Sequence, residues 1–397
     1  MTASGLRQRM FPGNHLTGFG KTIKDETAMK GNPGRESIGM DGLGVCVGFP
    51  VWKRPHVKPF FCSISDRVIY IEDPSQAVKC AKSNNSRIIT WASSEKKELD
   101  ALAKAEGIDV VRMEDGFLRS VGLGSDFHVP YSLVLDKKGI YYDPSRPSEL
   151  EYILEKGGFD GRLLDRARCL KQQIISKEVT KYNVGTDMAD DLSLPSDKLI
   201  IFVPGQVEND ASLLRCSSDI DTNVKLLEAV RKARPQAFIL YKPHPDVLAG
   251  NRPGRIPNGT ACKFCDRIVG TISAGTLINQ VDEVHTISSL TGFEALLRSK
   301  NVYTYGGPFY AGWGLTADRL LFPRRTRRVT LDELIAATLI LYPTYYDWET
   351  NMFCGPETIL HRLSAQHDRR FKLDWLSQWT ISRLTRMFFS PYISRKR

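Results

Sequence analysis

Residues 282–314 read DEVHTISSLTGFEALLRSKNVYTYGGPFYAGWG, and the order of patterns in this stretch decides the fold class. Glu283–Ile287 predicts a short buried strand, and Ser288–Ser289–Leu290–Thr291–Gly292 forms a small polar turn after it. Between Phe293 and Ser299, the side chains of Phe293, Leu296 and Leu297 recur at helical spacing and share one face. Asn301–Tyr305 predicts a second strand, followed by a glycine-rich loop from Gly306 to Gly314. Strand, hydroxyl-rich turn, helix and strand make a βαβ unit. A helix N-terminus leaves backbone N–H groups without intrahelical acceptors and carries positive partial charge, so this turn suits a phosphate. Thr291 and Glu294 also stand at capping-box spacing, a device that only starts a helix. The residues leave both readings open.

The same alternation extends outward. Downstream, a helix is expected at Leu331–Leu341, followed by an aromatic, proline-containing tail. Upstream, strand Leu199–Val203, helix Asn223–Ala233 and strand Ala237–Tyr241 precede the unit, while residues 247–270 give no clear pattern. In the first half the apolar GVCVGF opens folded sequence near Gly44, with strands at Val68–Ile71, Arg87–Trp91 and Asp109–Met113. Glu95–Glu106 reads as a helix stopped by Gly107, and Leu150–Val179 as largely helical. Leu133–Asp136 and Gly139–Tyr142 look like a hairpin around Lys137–Lys138. Tyr182–Pro195, with its glycine, proline and acids, reads as an interdomain linker. The expected architecture is α/β: two Rossmann-like, doubly wound domains with parallel sheets, over residues 44–190 and 191–345. Residues 1–43 form an extension outside the fold, and 346–397 a helical tail.

At 397 residues two domains are the natural division, and 42% hydrophobic residues suffice for their cores. A net charge of +10 favours anionic partners: phosphates, acidic sugars or an acidic membrane surface. No nucleic-acid motif accompanies it, and the basic residues are scattered except at the C-terminus, so nucleic acid is not an expected partner. Among eight cysteines only Cys262 and Cys265 form a C-x-x-C pair, without the second pair that zinc requires. Incidental thiols in a reducing cytoplasm fit this usage. No apolar run is long enough to span a bilayer and no signal peptide is visible, so a cytosolic, soluble or peripheral protein is expected. Met40, just ahead of the first folded residues, is an expected natural start. Leu376, Trp379, Leu384 and Phe388 form an apolar stripe in the tail, beside Lys372, Arg383, Arg386 and the terminal Arg395–Lys396–Arg397. That pattern fits a helix lying on an anionic membrane surface, or one packed across the two domains.

Five polar clusters share one position, the carboxyl end of an expected strand: Glu114–Ser120, Gly205–Asp210, Lys242–Asp246, Ser288–Gly292 and Gly306–Gly314. Open α/β sheets bind ligands at that edge, so one cleft between facing domains is expected. Glu114 and Asp115 from the first half and Glu208 and Asp210 from the second are acidic candidates. Facing carboxylates suit glycosyl chemistry, although acids after strands also cap helices and hold turns. His244 lies between Pro243 and Pro245, beside Lys242. Prolines fix the backbone and remove N–H donors, presenting an imidazole next to an ammonium where a phosphate could depart. Asp219 and Asp221 form a DxD, but Asp221 sits where an N-cap belongs. Phe309, Tyr310 and Trp313 either stack on a sugar or base, or close the domain.

Glu114–Gly124 (EDGFLRSVGLG), Val203–Ser212 (VPGQVENDAS), Tyr241–Val247 (YKPHPDV) and Val284–Leu297 with Tyr310–Thr316 (YAGWGLT) closely resemble the capsule-polysaccharide biosynthesis family. That family contains the retaining β-Kdo transferases related to KpsC and LipA, and the resemblance covers roughly residues 44–343. It implies a GT-B architecture with CMP-Kdo as donor substrate, no further cofactor and no metal. The implied role is transfer of Kdo to a Kdo-primed phospholipid during assembly of a Gram-negative capsule linker. This would place the protein at the cytoplasmic face of the inner membrane with other capsule-assembly proteins. By position, Asp210 matches the catalytic aspartate and His244–Pro245 the HP motif at the CMP phosphate. Ser288, Ser289 and Glu294 match the segment that holds phosphate and ribose, with Gln206, Lys242 and Gly292 completing the expected donor site. Glu114 or Asp115, Glu114 for preference, would face acceptor or sugar. Many relatives carry two such modules, whereas these motifs occur once here. The alternative is a non-catalytic capsule-export scaffold, against which the intact Asp210 and His244 argue.

Overall fold

The computed structural model describes residues 43–61, 67–122, 128–181, 192–217 and 219–372. All of them fall within one compact unit, Gly31–Arg397. The extension with Met40, most of the expected linker and the stripe beyond Lys372 lie outside the described residues.

In chain order the strands are β1 (Leu43–Val47), β2 (Arg67–Tyr70), β3 (Arg87–Trp91), β4 (Val110–Asp115) and β5 (Ser132–Asp136) in the first half. There follow β6 (Ile200–Pro204), β7 (Phe238–Lys242), β8 (Arg267–Ile268), β9 (Glu283–Thr286), β10 (Asn301–Thr304) and β11 (Ala317–Asp318), then β12 (Pro343–Asp347) and β13 (Met352–Cys354). They build a seven-stranded sheet, β13-β12-β5-β4-β3-β1-β2, and a six-stranded sheet, β11-β10-β9-β6-β7-β8. The second sheet is parallel throughout. Its central strand Ile200–Pro204 is buried at every position, as a strand covered on both faces must be. The unit that opened the reading is there: β9, helix Leu290–Leu297 and β10.

The first sheet corrects two expectations. It is mixed, because β5, β12 and β13 add antiparallel to the parallel set β4-β3-β1-β2. The hairpin around Lys137–Lys138 is absent: β5 pairs with β4 and β12, and residues 139–142 form no strand. The cause is Asp136, fully buried, whose carboxylate accepts the backbone N–H groups of Lys138 and Gly139 at 2.8 Å each. It also accepts Glu149 N–H at 2.9 Å and the Tyr342 hydroxyl at 2.8 Å. The turn is thus closed by a side chain, and the chain leaves the sheet. The expected long helix breaks at Gly157 and Gly158, with φ of +63° and +80°, and restarts at Gly161 with Asp160 as N-cap.

Residues 247–270 hold two short helices and β8. Helix Leu331–Ile335 continues as a π-helix over Ala336–Leu341 and delivers the chain back to the first sheet as β12. A boundary at 345 would fall inside that strand. One apolar core runs through both halves, joining Phe117, Leu118 and Val134 to Val284, Phe293 and Trp313. At its centre the Phe309 ring lies 4.9 Å from Phe117 and 5.4 Å from Phe293, so the aromatic loop closes the interface. Tyr310 and Trp313 are fully buried, and Gly292 is small because the Tyr310 ring packs directly on it.

Removing the Asp136 carboxylate orphans four donors, each worth about 1–3 kcal/mol. Asp136→Ala is expected to lower the unfolding free energy by about 4 kcal/mol or more, and Asp136→Asn by less. Both are read from the urea midpoint with the m-value unchanged.

Candidate active site

A cleft of about 600 Å³ lies where the carboxyl edges of both sheets meet, a size suited to a nucleotide-sized ligand. Of the expected site residues only Gly292, which serves packing instead, and the acidic candidate Glu208 do not line it.

The second domain supplies hydrogen-bond donors. Lys242 ends β7, is buried, and gives Nζ–H to the Gly270 carbonyl at 2.7 Å. Burial brings its pKa down to about 8. His244 N-caps helix Pro245–Leu248, its Nδ1 accepting Asp246 N–H at 3.1 Å. That bond fixes the tautomer, so the neutral imidazole carries its proton on Nε2. Burial lowers the imidazole pKa and favours this form. The Gln206 side chain spans to the turn after β9, with Oε1 accepting Ser288 N–H at 2.9 Å and Nε2 donating to Ser288 Oγ at 2.9 Å. Gln206 therefore holds the turn in place. Ser289 caps helix Leu290–Leu297, accepting Thr291 N–H at 3.2 Å. This overturns the Thr291–Glu294 capping box: Glu294 is buried and its Oε1 accepts Lys181 N–H at 2.9 Å. Burial raises its pKa.

The first domain supplies a split acid pair at the end of β4. Glu114 accepts Ser93 N–H at 2.9 Å and Asp115 N–H at 3.1 Å, and burial raises its pKa. Asp115 meets Arg119 Nε at 2.9 Å and Lys53 Nζ at 3.3 Å. Those cations outweigh its burial and hold it ionised, well below the usual carboxylate range. Lys53 in turn stands 3.5 Å over the Trp91 ring.

Asp210 N-caps helix Ala211–Cys216, its Oδ1 accepting Ser212 N–H at 3.0 Å and Ser212 Oγ–H at 2.7 Å. The side chain is 46% exposed, with Oδ2 at 3.7 Å from Arg252. One oxygen is anchored while the other stays accessible. Glu208 lies outside the cleft lining and caps Asn223 N–H at 2.9 Å. The N-cap of helix Asn223–Ala233 is Thr222, whereas Asp221 pairs with Lys225 at 2.6 Å. Among the described residues no group of three or more metal-ligating side chains comes together.

Sequence reasoning missed Lys53, Arg119 and Lys181. Arg119 stood inside a quoted motif, whereas Lys53 and Lys181 offered no local signal.

The family described as capsule polysaccharide biosynthesis protein matches residues 86–162 and 159–345. The chain belongs to this family. Within it, the chain is 44% identical over 333 residues to the capsule polysaccharide modification protein LipA of Neisseria meningitidis serogroup B, covering 84% of this chain and 47% of that protein. It thus spans about half the length of that relative. It is 41% identical to the lipopolysaccharide-processing protein LpsZ of Rhizobium meliloti, over 75% of this chain and 69% of that one. Two solved structures are similar, both from Thermosulfurimonas dismutans KpsC. The β-Kdo 2,7 transferase has a TM-score of 0.66 and 36% identity, covering 81% of this chain and 99% of that one. The β-Kdo 2,4 transferase has a TM-score of 0.70 and 30% identity, covering 83% and 99%. The fold is accordingly a two-domain, GT-B-like α/β fold. No helix among the described residues is long and apolar enough to cross a membrane.

Lys242 gives the cleft a pH signature. Its ammonium loses its proton as pH rises through about 8, so affinity for a nucleoside monophosphate is expected to fall above that pH. Folding responds with the opposite sign. Between about 8 and the ordinary 10.5 only the unfolded chain keeps the proton, so this residue makes stability rise with pH. Calorimetric titrations from pH 7 to 9.5 check the first effect, and Lys242→Met should flatten it.

Proposed function

We propose that this chain is a retaining glycosyltransferase that moves Kdo from CMP-Kdo to a Kdo-primed phospholipid acceptor in building a capsule linker. The observation that carries the reading is the division of labour across the cleft. The second domain offers His244, Lys242 and a helix N-terminus to an anion, while the first offers an acid pair of buried Glu114 and half-buried Asp115. The similarity to the two KpsC β-Kdo transferases supports Kdo as the sugar.

In this reading the CMP phosphate rests against the Nε2–H side of His244 and the N-terminus after β9, with Glu294 toward the ribose. The accessible oxygen of Asp210 attacks the anomeric carbon as the bond to phosphate breaks, and CMP leaves with that electron pair. The acceptor hydroxyl then displaces Asp210 from the sugar, passing its proton to Glu114. Two inversions give retention. Burial makes Glu114 a stronger base than a solvated carboxylate, which suits this proton transfer. Asp115, pinned by Lys53 and Arg119, fixes that wall. The donor needs no metal for its single phosphate. The place of work would be the cytoplasmic membrane face, where lipid acceptor and anionic surface are found and other capsule-assembly proteins act.

Incubation with CMP-Kdo and no acceptor tests the proposal. Intact mass is expected to rise by one Kdo residue on the peptide containing Asp210, with no adduct and at least about 1,000-fold slower transfer in Asp210→Ala. An adduct on another carboxylate, or near-normal transfer by the variant, refutes Asp210 as nucleophile. Absence of CMP release with a Kdo-primed acceptor favours the export-scaffold alternative.

A further inference from the structure

Helix Ala211–Cys216, which Asp210 caps, follows β6 of the second sheet, yet its far end is fastened to the first domain. Arg215 Nη1 donates to Asp143 Oδ2 at 2.7 Å, and its Nη2 stands 3.7 Å from Glu95 Oε2. Cys216 Sγ donates to the Tyr142 carbonyl at 2.9 Å. Glu95 is also gripped by both arms of Arg112, through Oε1 at 2.7 Å and Oε2 at 3.1 Å. Arg112 lies in β4, two residues before Glu114. One carboxylate therefore links the helix that begins at Asp210 to the strand that ends in Glu114 and Asp115. Arg146 pairs with Glu95, Asp100 and Asp143 and closes the cluster. The side chains of Glu95, Arg112 and Asp143 are buried, and neither they nor Arg215 line the cleft. Burying charges costs desolvation that their attraction barely offsets, so such a cluster is weak evidence for stability. What a forked guanidinium adds is geometry, because two directed bonds fix distance and angle together. The distance fixed here is that between Asp210 and Glu114. The helix has separate ties to its own domain: Asp210 N–H donates to the Val207 carbonyl at 3.1 Å and Gly307 N–H to the Cys216 carbonyl at 3.0 Å.

We infer that Arg215 is a positioning residue, which through Asp143 and Glu95 sets the reach between Asp210 and Glu114. The inference rests on the function proposed above and deepens it by assigning the step that this tie serves. Attack of Asp210 on the donor needs only groups of the second domain, which the ties to Val207 and Gly307 hold. Transfer from the Asp210-bound sugar is different. The acceptor hydroxyl that displaces Asp210 gives its proton to Glu114, so both carboxylates must stand in one frame. Arg215 governs this second step and not the first.

Arg215→Met in the full chain tests this. Asp143 and Glu95 keep Arg146, and Glu95 keeps Arg112, so no buried carboxylate of the cluster is left without a cation. The variant is expected to fold, to melt within a few degrees of wild type and to bind CMP equally well. With CMP-Kdo alone, the Asp210 adduct should form within about threefold of the wild-type rate. With a Kdo-primed acceptor, kcat should fall about 10–100-fold and the adduct accumulate during turnover, the effect of a misplacement of about 1 Å. Arg215→Lys keeps the charge without the fork and should recover part of the loss. Combined with Asp143→Asn, the losses in kcat should not add. Unchanged kcat, or losses that add, overturn the inference. So does adduct formation slowed as much as turnover, which makes Arg215 a support of the donor step. A loss that vanishes when rates are counted per CMP-binding site marks a folding role and overturns it too. A wild-type protein that transfers nothing from CMP-Kdo refutes the proposed function, and one that transfers without an Asp210 adduct refutes the nucleophile; either removes this inference as well. An active wild type with the adduct leaves the variant's result to judge Arg215 alone.

Discussion

The contact of Phe309 with Phe117 on one side and Phe293 on the other is the constraint on which the cleft depends. Phe117 follows Glu114 and Asp115, Phe293 belongs to the helix that Ser289 caps, and Phe309 comes from the loop after β10. Three site-forming segments are therefore referenced to one apolar point, within the core shared by both halves. The return of the chain through β12 closes the arrangement covalently, because residues beyond the second sheet complete the first. The floor is apolar, and the chemistry is left to the walls.

On those walls burial acts on both acids alike, and the charges beside them decide the outcome. Glu114 and Asp115 are adjacent in sequence, yet one is pushed toward protonation and the other held ionised by Arg119 and Lys53. A strand end sends successive side chains to opposite sides, so neighbours enter different surroundings. His244 follows the same logic: a bond to its Nδ1 from the backbone selects the tautomer, leaving Nε2–H as a donor.

Much of this was legible in the chain. Buried parallel strands appear as apolar runs, and ligand-binding polar clusters follow them, so Glu114, Asp210, His244 and Ser288 could be placed on one edge before any geometry. The antiparallel strand β12 was not legible, because its pairing with β5 across some two hundred residues leaves no local pattern in a proline- and tyrosine-rich segment. Nor was the turn after Asp136, where a carboxylate does the work of a strand partner. Ser288, Ser289 and Thr291 are all competent caps, and only the backbone path selects Ser289. Lys53 owes its place to tertiary structure alone, stacking on Trp91 from a short helical turn far away in sequence.

The central claim is that the second domain's wall is built for a CMP-linked donor. A crystal structure of the protein with bound CMP tests it most directly. The account predicts the phosphate within about 3 Å of His244 Nε2 and beside the N-terminus of helix Leu290–Leu297, with the ribose hydroxyls at Glu294. A nucleotide bound outside this cleft, or one inside it with its phosphate turned toward Glu114 and Asp115, would contradict the account.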